Sequence, residues 1–349
     1  MIVEDERVVQ VLLEHIIRSD PRLELVGLYR TGEEALSDIA SVKPDVISVD
    51  IRLPGMNGFE LTRTIMRRHP TPIVVVSANV EDEDLGISMN ALRAGALAVV
   101  EKPVGVTNKD YDKIAERMCR SLILMSDVKL VRQRSPIISR SASAPIRPPQ
   151  TRHLSGQGGY RVLGLVASTG GPNALVEILK HLTPSFPLPI AMVQHITASF
   201  LGGFSSWLSA TTGFEARVVS DSEPLSPGVI YLAAADHHLE INGLRAKVNQ
   251  MPPVSGQRPA GTVLLKSMAA SHGRNGIGVL LTGMGDDGAE GLAAIRHAGG
   301  FTIAEHESTA VVYGMPKVAA SLGAVCEQLP LPKIGPRLKE LTATMGMIR

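Results

Sequence analysis

Apolar positions in the first ~125 residues fall into short runs separated by stretches with a helical repeat. The runs are Met1–Val3, Leu23–Leu28, Asp45–Val49, Pro72–Val76 and Leu97–Val100. Between them lie amphipathic stretches such as Val8, Val11, Leu12 and Ile16. A last helix over roughly Lys109–Met125 sets Ile114, Met118 and Leu122 on one face. Five strands in strict alternation with helices predict a parallel, flavodoxin-like α/β sheet.

From Asp127 to Gly159 the periodicity stops and Ser, Pro and Arg dominate, which predicts an exposed linker. A second α/β pattern begins at Arg161. Its strand-like runs are Val162–Ala167, Ile190–Gln194, Val229–Ala233, Gly276–Thr282 and Phe301–Ala304. Helical stretches include Ala174–His181, Ala289–Ala298 and Pro316–Leu322. The expected organisation is a first α/β domain over 1–126, a flexible linker over 127–160, and a second doubly wound parallel-sheet domain over 161–349.

Composition narrows the function classes. Apolar residues make up 44% of the 349, charged residues 20%, and the net charge is +1. No basic surplus points to nucleic acid, and the linker arginines lack interleaved aromatics for base stacking. No apolar run reaches the ~18–20 residues of a membrane span, and no signal peptide opens the chain. The expectation is a cytoplasmic protein without nucleic-acid partners or direct membrane insertion. Cys119 and Cys326 form no metal or redox spacing, so both are expected as buried free thiols.

Glu4 and Asp5 follow the first strand, and Asp50 ends the third. Strand C-terminal ends of an open parallel sheet converge on one crevice. Clustered carboxylates there repel one another unless a hard cation such as Mg²⁺ joins them. Ser77 ends the fourth strand and Lys102 follows the fifth, and both suit a phosphoryl group. Any single acid in this set, taken alone, reads better as a loop carboxylate or a helix cap. VED at the start, VDIRLPGMNGFEL around Asp50, SA at 77–78 and KP at 102–103 together resemble a response-regulator receiver domain. The resemblance implies that Asp50 takes phosphate from a histidine kinase and that Glu4, Asp5 and Asp50 hold Mg²⁺. It implies too that Ser77 and Lys102 sense the phosphoryl group. Two departures stand out. The chain opens almost inside the first strand, which leaves a truncated start or a less stable domain open. Val99 also occupies the position, three before the lysine, where receivers usually carry an aromatic.

In the second domain the run VLGLVA leads into Ser168-Thr169-Gly170-Gly171-Pro172 and then a helix. A strand running into Ser at a Gly-rich turn exposes the hydroxyl beside unpaired N–H groups. Those donors can stabilise an oxyanion formed when Ser168 attacks a carbonyl. The same turn could instead cap the helix or cradle a phosphate. His195 ends one strand run. Asp287 lies past the end of another, with Asp286 as its rival. Ser, His and Asp at three strand ends are what a catalytic triad needs in this topology.

GLVASTGGPNAL, MVQHITASF, LLTGMGDDGAEGL and AEHESTAVVYGMPKVA resemble the catalytic domain of chemotaxis protein-glutamate methylesterases. The whole chain is thereby similar to the family's receiver-plus-esterase form. The resemblance implies Ser168 as nucleophile, His195 as base and Asp287 as orienter, with the Thr169 and Met284 backbone amides as oxyanion hole. It further implies hydrolysis of glutamate methyl esters on methyl-accepting chemoreceptors, deamidation of certain receptor glutamines, and no cofactor for ester hydrolysis. The receiver is expected to restrain the esterase until Asp50 is phosphorylated. One departure is Thr262, where the family commonly has Asp, and little effect is expected of it. His237, His238, His272 and His306 are read as structural or surface residues. Glu305 and Glu307 lie near a strand end, where they could line the cleft, but are expected mainly at the surface. The competing class is a non-catalytic response regulator whose second domain only binds a partner. A DNA-binding output finds no helix-turn-helix pattern or basic recognition face.

Overall fold

In the computed structural model, residues 1–77, 90–92, 94–103, 105, 111–128 and 159–343 are described. The expected linker, 127–160, therefore lies outside them except at its two ends.

The first domain is one parallel sheet of β1 (Ile2–Val3), β2 (Leu28–Tyr29), β3 (Ile47–Asp50), β4 (Ile73–Ser77) and β5 (Ala98–Glu101), in the order β2-β1-β3-β4-β5. Ile73, Val74, Val75 and Val76 are completely buried, as an inner strand covered on both faces requires. The Leu23–Leu28 run is a correction: only Leu28–Tyr29 pair as a strand. A second correction concerns the helix Arg7–Ser19. It buries Gln10, Leu13, Ile16 and Ile17, while Val8 and Val11 face solvent. That helix is apolar on more than one stripe, so periodicity admits two faces. The Gln10 carboxamide decides between them, because it donates to the Glu4 and Tyr29 carbonyls under the sheet edge. The last helix, Tyr111–Ser126, buries Ile114, Met118 and Leu122 as expected.

The second domain centres on seven parallel strands in the order β15-β14-β13-β6-β7-β10-β8. These are β6 (Val162–Ala167), β7 (Ile190–Gln194), β8 (Glu215–Val219), β10 (Val229–Ala233), β13 (Gly276–Leu280), β14 (Phe301–Glu305) and β15 (Glu327–Leu329). A separate antiparallel sheet joins β9 (Ser222–Pro224), β11 (His238–Asn242) and β12 (Arg245–Asn249) in the order β11-β12-β9. Its strands are short, β9 and β12 are partly exposed while β11 buries His238, Leu239 and Ile241, and the apolar pattern does not announce them. β6 lies between β7 and β13, and its six residues are all buried. Burying a Leu or Val side chain contributes about 1.5–3 kcal/mol, so this strand firmly anchors the turn at its C-terminal end.

The domains meet close to the start of the helix Gly171–Leu182. Asn173 Nδ2 donates to the Leu92 carbonyl at 2.6 Å. Val311, from the second domain, packs against the receiver cluster that includes Val74, Val76 and Val100.

Candidate active site

Strand register builds the serine site. Ala167 pairs with Gln194, so Ser168 and His195 leave neighbouring strands side by side. On the other flank β13 pairs with β6, and the Ser168 amide donates to the Thr282 carbonyl at 3.0 Å. A Cβ on Gly283 would lie 2.7 Å from the Ser168 Cβ, so this glycine lets the two chain segments approach. Gly170 has φ +76°, the left-handed conformation that turns the chain from Ser168 into its helix.

Asp287, rather than the exposed Asp286, is turned inward and is 2% exposed. Its Oδ2 accepts from His195 Nε2 at 2.8 Å and from the Gly261 amide at 2.6 Å. Its Oδ1 accepts from the amides of Thr262 and Gly288, both at 2.9 Å. Burial alone would push this carboxyl up. His195 and the Thr262 and Gly261 amides outweigh it and hold Asp287 below the usual carboxylate range. An ionised Asp287 can only accept, so His195 Nε2 carries the proton and Nδ1 keeps the ring's lone pair. Among the described residues the Ser168 hydroxyl makes no hydrogen bond, and the Thr169 and Met284 amides donate to no acceptor.

Thr262 carries more weight than its sequence position suggests. Besides its amide, its hydroxyl accepts from the Gly288 amide at 2.7 Å, tying the Asp287 loop to the helix Gly261–His272. Glu305 is a correction: it is fully buried, and its Oε2 accepts from the Thr282 amide at 2.9 Å. Burial pushes its carboxyl up, opposed by the Thr282 amide and the Thr309 hydroxyl. Glu307 is exposed, as expected. The Thr282 hydroxyl donates to the Thr169 carbonyl at 2.9 Å. Gln194 and Thr282 were missed, and Glu305 was placed at the surface, because buried polar residues at strand ends carry no periodic signal. His238 is buried, accepting at Nδ1 from the Ala260 amide and lying 3.1 Å at Nε2 from the Pro252 carbonyl, a structural role as expected. Cys119 is buried, whereas Cys326 is exposed, against expectation, because it follows a chain turn at the edge of the sheet.

The receiver crevice holds the other expected cluster. Oxygen atoms of Glu4, Asp5 and Asp50 lie within 4.8 Å of one another. Lys102 Nζ is 2.9 Å from both Asp50 Oδ2 and Glu4 Oε2. Burial and the Asp50 charge raise the Glu4 carboxyl, with Lys102 opposing. Burial alone would lower the Lys102 ammonium, yet the Asp50 and Glu4 carboxylates hold it above its ordinary value. Ser77 is buried at the end of β4. Three hard oxygen donors around one point fit Mg²⁺.

Two family models match the chain: CheB methylesterase over residues 163–338 and response regulator receiver domain over residues 1–109. A Paramagnetospirillum magneticum protein named protein-glutamate methylesterase/protein-glutamine glutaminase 2 is 53% identical over 98% of this chain and 96% of its own. A Myxococcus xanthus protein named protein-glutamate methylesterase/protein-glutamine glutaminase 4 is 41% identical over 97% and 95%. The crystal structure of the Thermotoga maritima CheB methylesterase catalytic domain aligns with a TM-score of 0.50 and 33% identity, covering 53% of this chain and all of that one.

Proposed function

The chain belongs to the CheB methylesterase family, with a receiver domain ahead of its catalytic domain, and from that premise we propose how its residues perform and regulate the reaction. The activity is hydrolysis of glutamate γ-methyl esters on chemoreceptors, with deamidation of particular receptor glutamines alongside. The observation that carries the assignment of residues is the buried, amide-held Asp287 bonded to His195 beside the Ser168 turn.

Ser168 is the nucleophile. With Nε2 donating to Asp287, His195 Nδ1 takes the Ser168 proton as Oγ attacks the ester carbon. The carbonyl oxygen becomes an oxyanion facing the unengaged Thr169 and Met284 amides. As the intermediate collapses, the C–O bond to methoxide breaks and His195 returns the proton, releasing methanol. Water, deprotonated by the same His195, then attacks the acyl-serine and frees the glutamate carboxylate and Ser168. Asp287 stays ionised throughout, orienting the ring and balancing the imidazolium charge. This chemistry asks for no cofactor.

In the receiver, Asp50 accepts a phosphoryl group from a histidine kinase. Glu4, Asp5 and Asp50 would hold Mg²⁺, which offsets negative charge during that transfer. Ser77 and Lys102 meet the new phosphoryl oxygens, and Lys102 must then redistribute its contacts with Asp50 and Glu4. The Asn173–Leu92 hydrogen bond and the Val311 contact support a receiver that restrains the catalytic domain beside Ser168. Domains of 1–126 and 161–349 joined by residues 127–160 suit docking and release. No helix among the described residues is long and apolar enough to cross a membrane. Methanol release from methylated receptor membranes tests the assignment, with Ser168→Ala as the control. Retention of most activity by that variant at saturating substrate would overturn it.

A further inference from the structure

Gln194 is 5% exposed and ends β7, one residue before His195. Its Nε2 donates to the Ser168 carbonyl at 2.9 Å and to the His195 carbonyl at 3.0 Å. One side-chain nitrogen thus bridges the backbones of the two residues that exchange a proton in the reaction. Its Oε1 is buried with no hydrogen-bond partner among the described residues. Leaving a buried carbonyl oxygen unpaired is unfavourable, so the site tolerates a penalty to keep this amide where it is. The room for it comes from Gly171, where a Cβ would lie 2.0 Å from Gln194 Oε1.

Peptide geometry carries this to the reacting atoms. The Ser168 carbonyl and the Thr169 N–H belong to one planar trans unit and point in opposite directions. The Ser168 oxygen accepts from the Gly171 amide at 2.8 Å and from Gln194, which holds it inward from two sides. The Thr169 N–H is thereby turned the other way, toward the oxyanion position. We propose that Gln194 is a positioning residue for ester hydrolysis: it locks the Ser168–Thr169 peptide plane, and with it one oxyanion donor, while tying that plane to the backbone of the base. The inference rests on the assignment of Ser168 and His195 above. Gln194 is almost wholly buried beneath the Ser168 turn, so its loss should act on the transition state rather than on ground-state binding.

The test compares Gln194→Met, which keeps the volume and removes the donor, with Gln194→Glu and Gly171→Ala in the full chain treated with acetyl phosphate. Gln194→Glu places acceptors against two carbonyl oxygens, and Gly171→Ala drives a methyl into the carboxamide from outside. Each variant should lower kcat for methanol release from methylated receptor membranes by about 10- to 100-fold, with KM moving less than about threefold. The rate of Ser168 labelling by a fluorophosphonate should fall in parallel, because that reaction uses the same oxyanion donors. In a Gln194→Ala background, Gly171→Ala should cost less than it does alone, since the tighter contact, 2.0 Å to Gln194 Oε1, is gone and only the 2.8 Å contact with the Ala167 Cβ remains. This non-additivity is read between soluble proteins with cooperative thermal transitions, so a failure of one variant to fold leaves the others informative. Wild-type kcat in Gln194→Met, or full additivity with Gly171→Ala, overturns the proposal. Ser168→Ala, assayed in parallel, separates the cases. Activity in that control sinks the nucleophile assignment, whereas an inactive control beside a fully active Gln194→Met sinks only the role of Gln194.

Discussion

Both domains gather charge at the C-terminal ends of a parallel sheet, yet they hold it by opposite means. In the receiver, side chain faces side chain: Lys102 spans Asp50 and Glu4, and Asp5 offers an oxygen within 4.8 Å of one on each acid. In the catalytic domain, backbone holds side chain: Asp287 takes three amide hydrogen bonds and Thr262 fastens the loop beside it. Ion pairs between long side chains can be re-made when a phosphoryl group arrives. Amides of folded backbone cannot move without unfolding something, which suits a site whose donors must already be aimed. One crevice is built to change and the other to stay still.

The comparison breaks most completely at the residues whose chemistry has no substitute. Asp50→Asn should abolish labelling by a small phosphodonor such as acetyl phosphate, and EDTA should do the same to the wild type. Labelling of Asp50→Asn at a comparable rate would place the phosphoacceptor elsewhere. Ser168→Ala and His195→Ala should each lower kcat about 10³-fold or more in the methanol assay while leaving the protein folded.

Asp287→Asn should be damaging but less complete, about 10²- to 10³-fold in kcat, because it removes orientation and the intended His195 tautomer rather than a reacting atom. The same variant carries a pH signature. Asp287 is held below its ordinary value, so its contribution to stability is present above the unfolded carboxylate pKa of about 4. That contribution is lost as pH falls through the lower folded value. Thermal scans from about pH 5 down to about pH 2, which bracket the ordinary carboxylate range, should therefore show a shallower acid decline in Asp287→Asn. An unchanged slope would mean that another carboxylate sets the acid limb.

Regulation should be worth less than chemistry. A fragment starting near Arg161 should exceed the unphosphorylated full chain by about 5- to 150-fold, the span of an inter-domain coupling of a few kcal/mol. Asn173→Ala removes the hydrogen bond to the Leu92 carbonyl and should raise the unphosphorylated chain by about 2- to 10-fold. It should leave the fragment unchanged. Equal rates in fragment, unphosphorylated and phosphorylated chains would dismiss the restraint. The smallest effect belongs to Thr262→Ala, which leaves the Asp287 carboxylate in place but strips the Gly288 amide of its hydroxyl acceptor. A loss of about 1–2 kcal/mol in stability and a several-fold fall in kcat are expected, measured by denaturant titration and the methanol assay.

The chain's own pattern determined the two α/β halves, because continuous apolar runs between amphipathic stretches allow little except parallel strands covered by helices. It also determined which residues have chemistry to offer: Asp50, Lys102, Ser168, His195 and Asp287 stand out by type and by position after a strand. Val162–Ala167, Ile190–Gln194 and Val229–Ala233 were legible to the residue, since fully buried strands have sharp apolar edges. Register and the interior decided the rest. The short strands β9, β11 and β12 mix buried and exposed positions and lacked that contrast, and the face of Arg7–Ser19 was chosen by Gln10 reaching two carbonyls. Asp287 prevailed over Asp286 only because one of two adjacent side chains could turn inward to His195. The roles of Gln194, Thr282 and Glu305 became visible only in three dimensions. A buried polar group is defined by the partners that repay its desolvation, and those partners lie on other strands, far away along the chain.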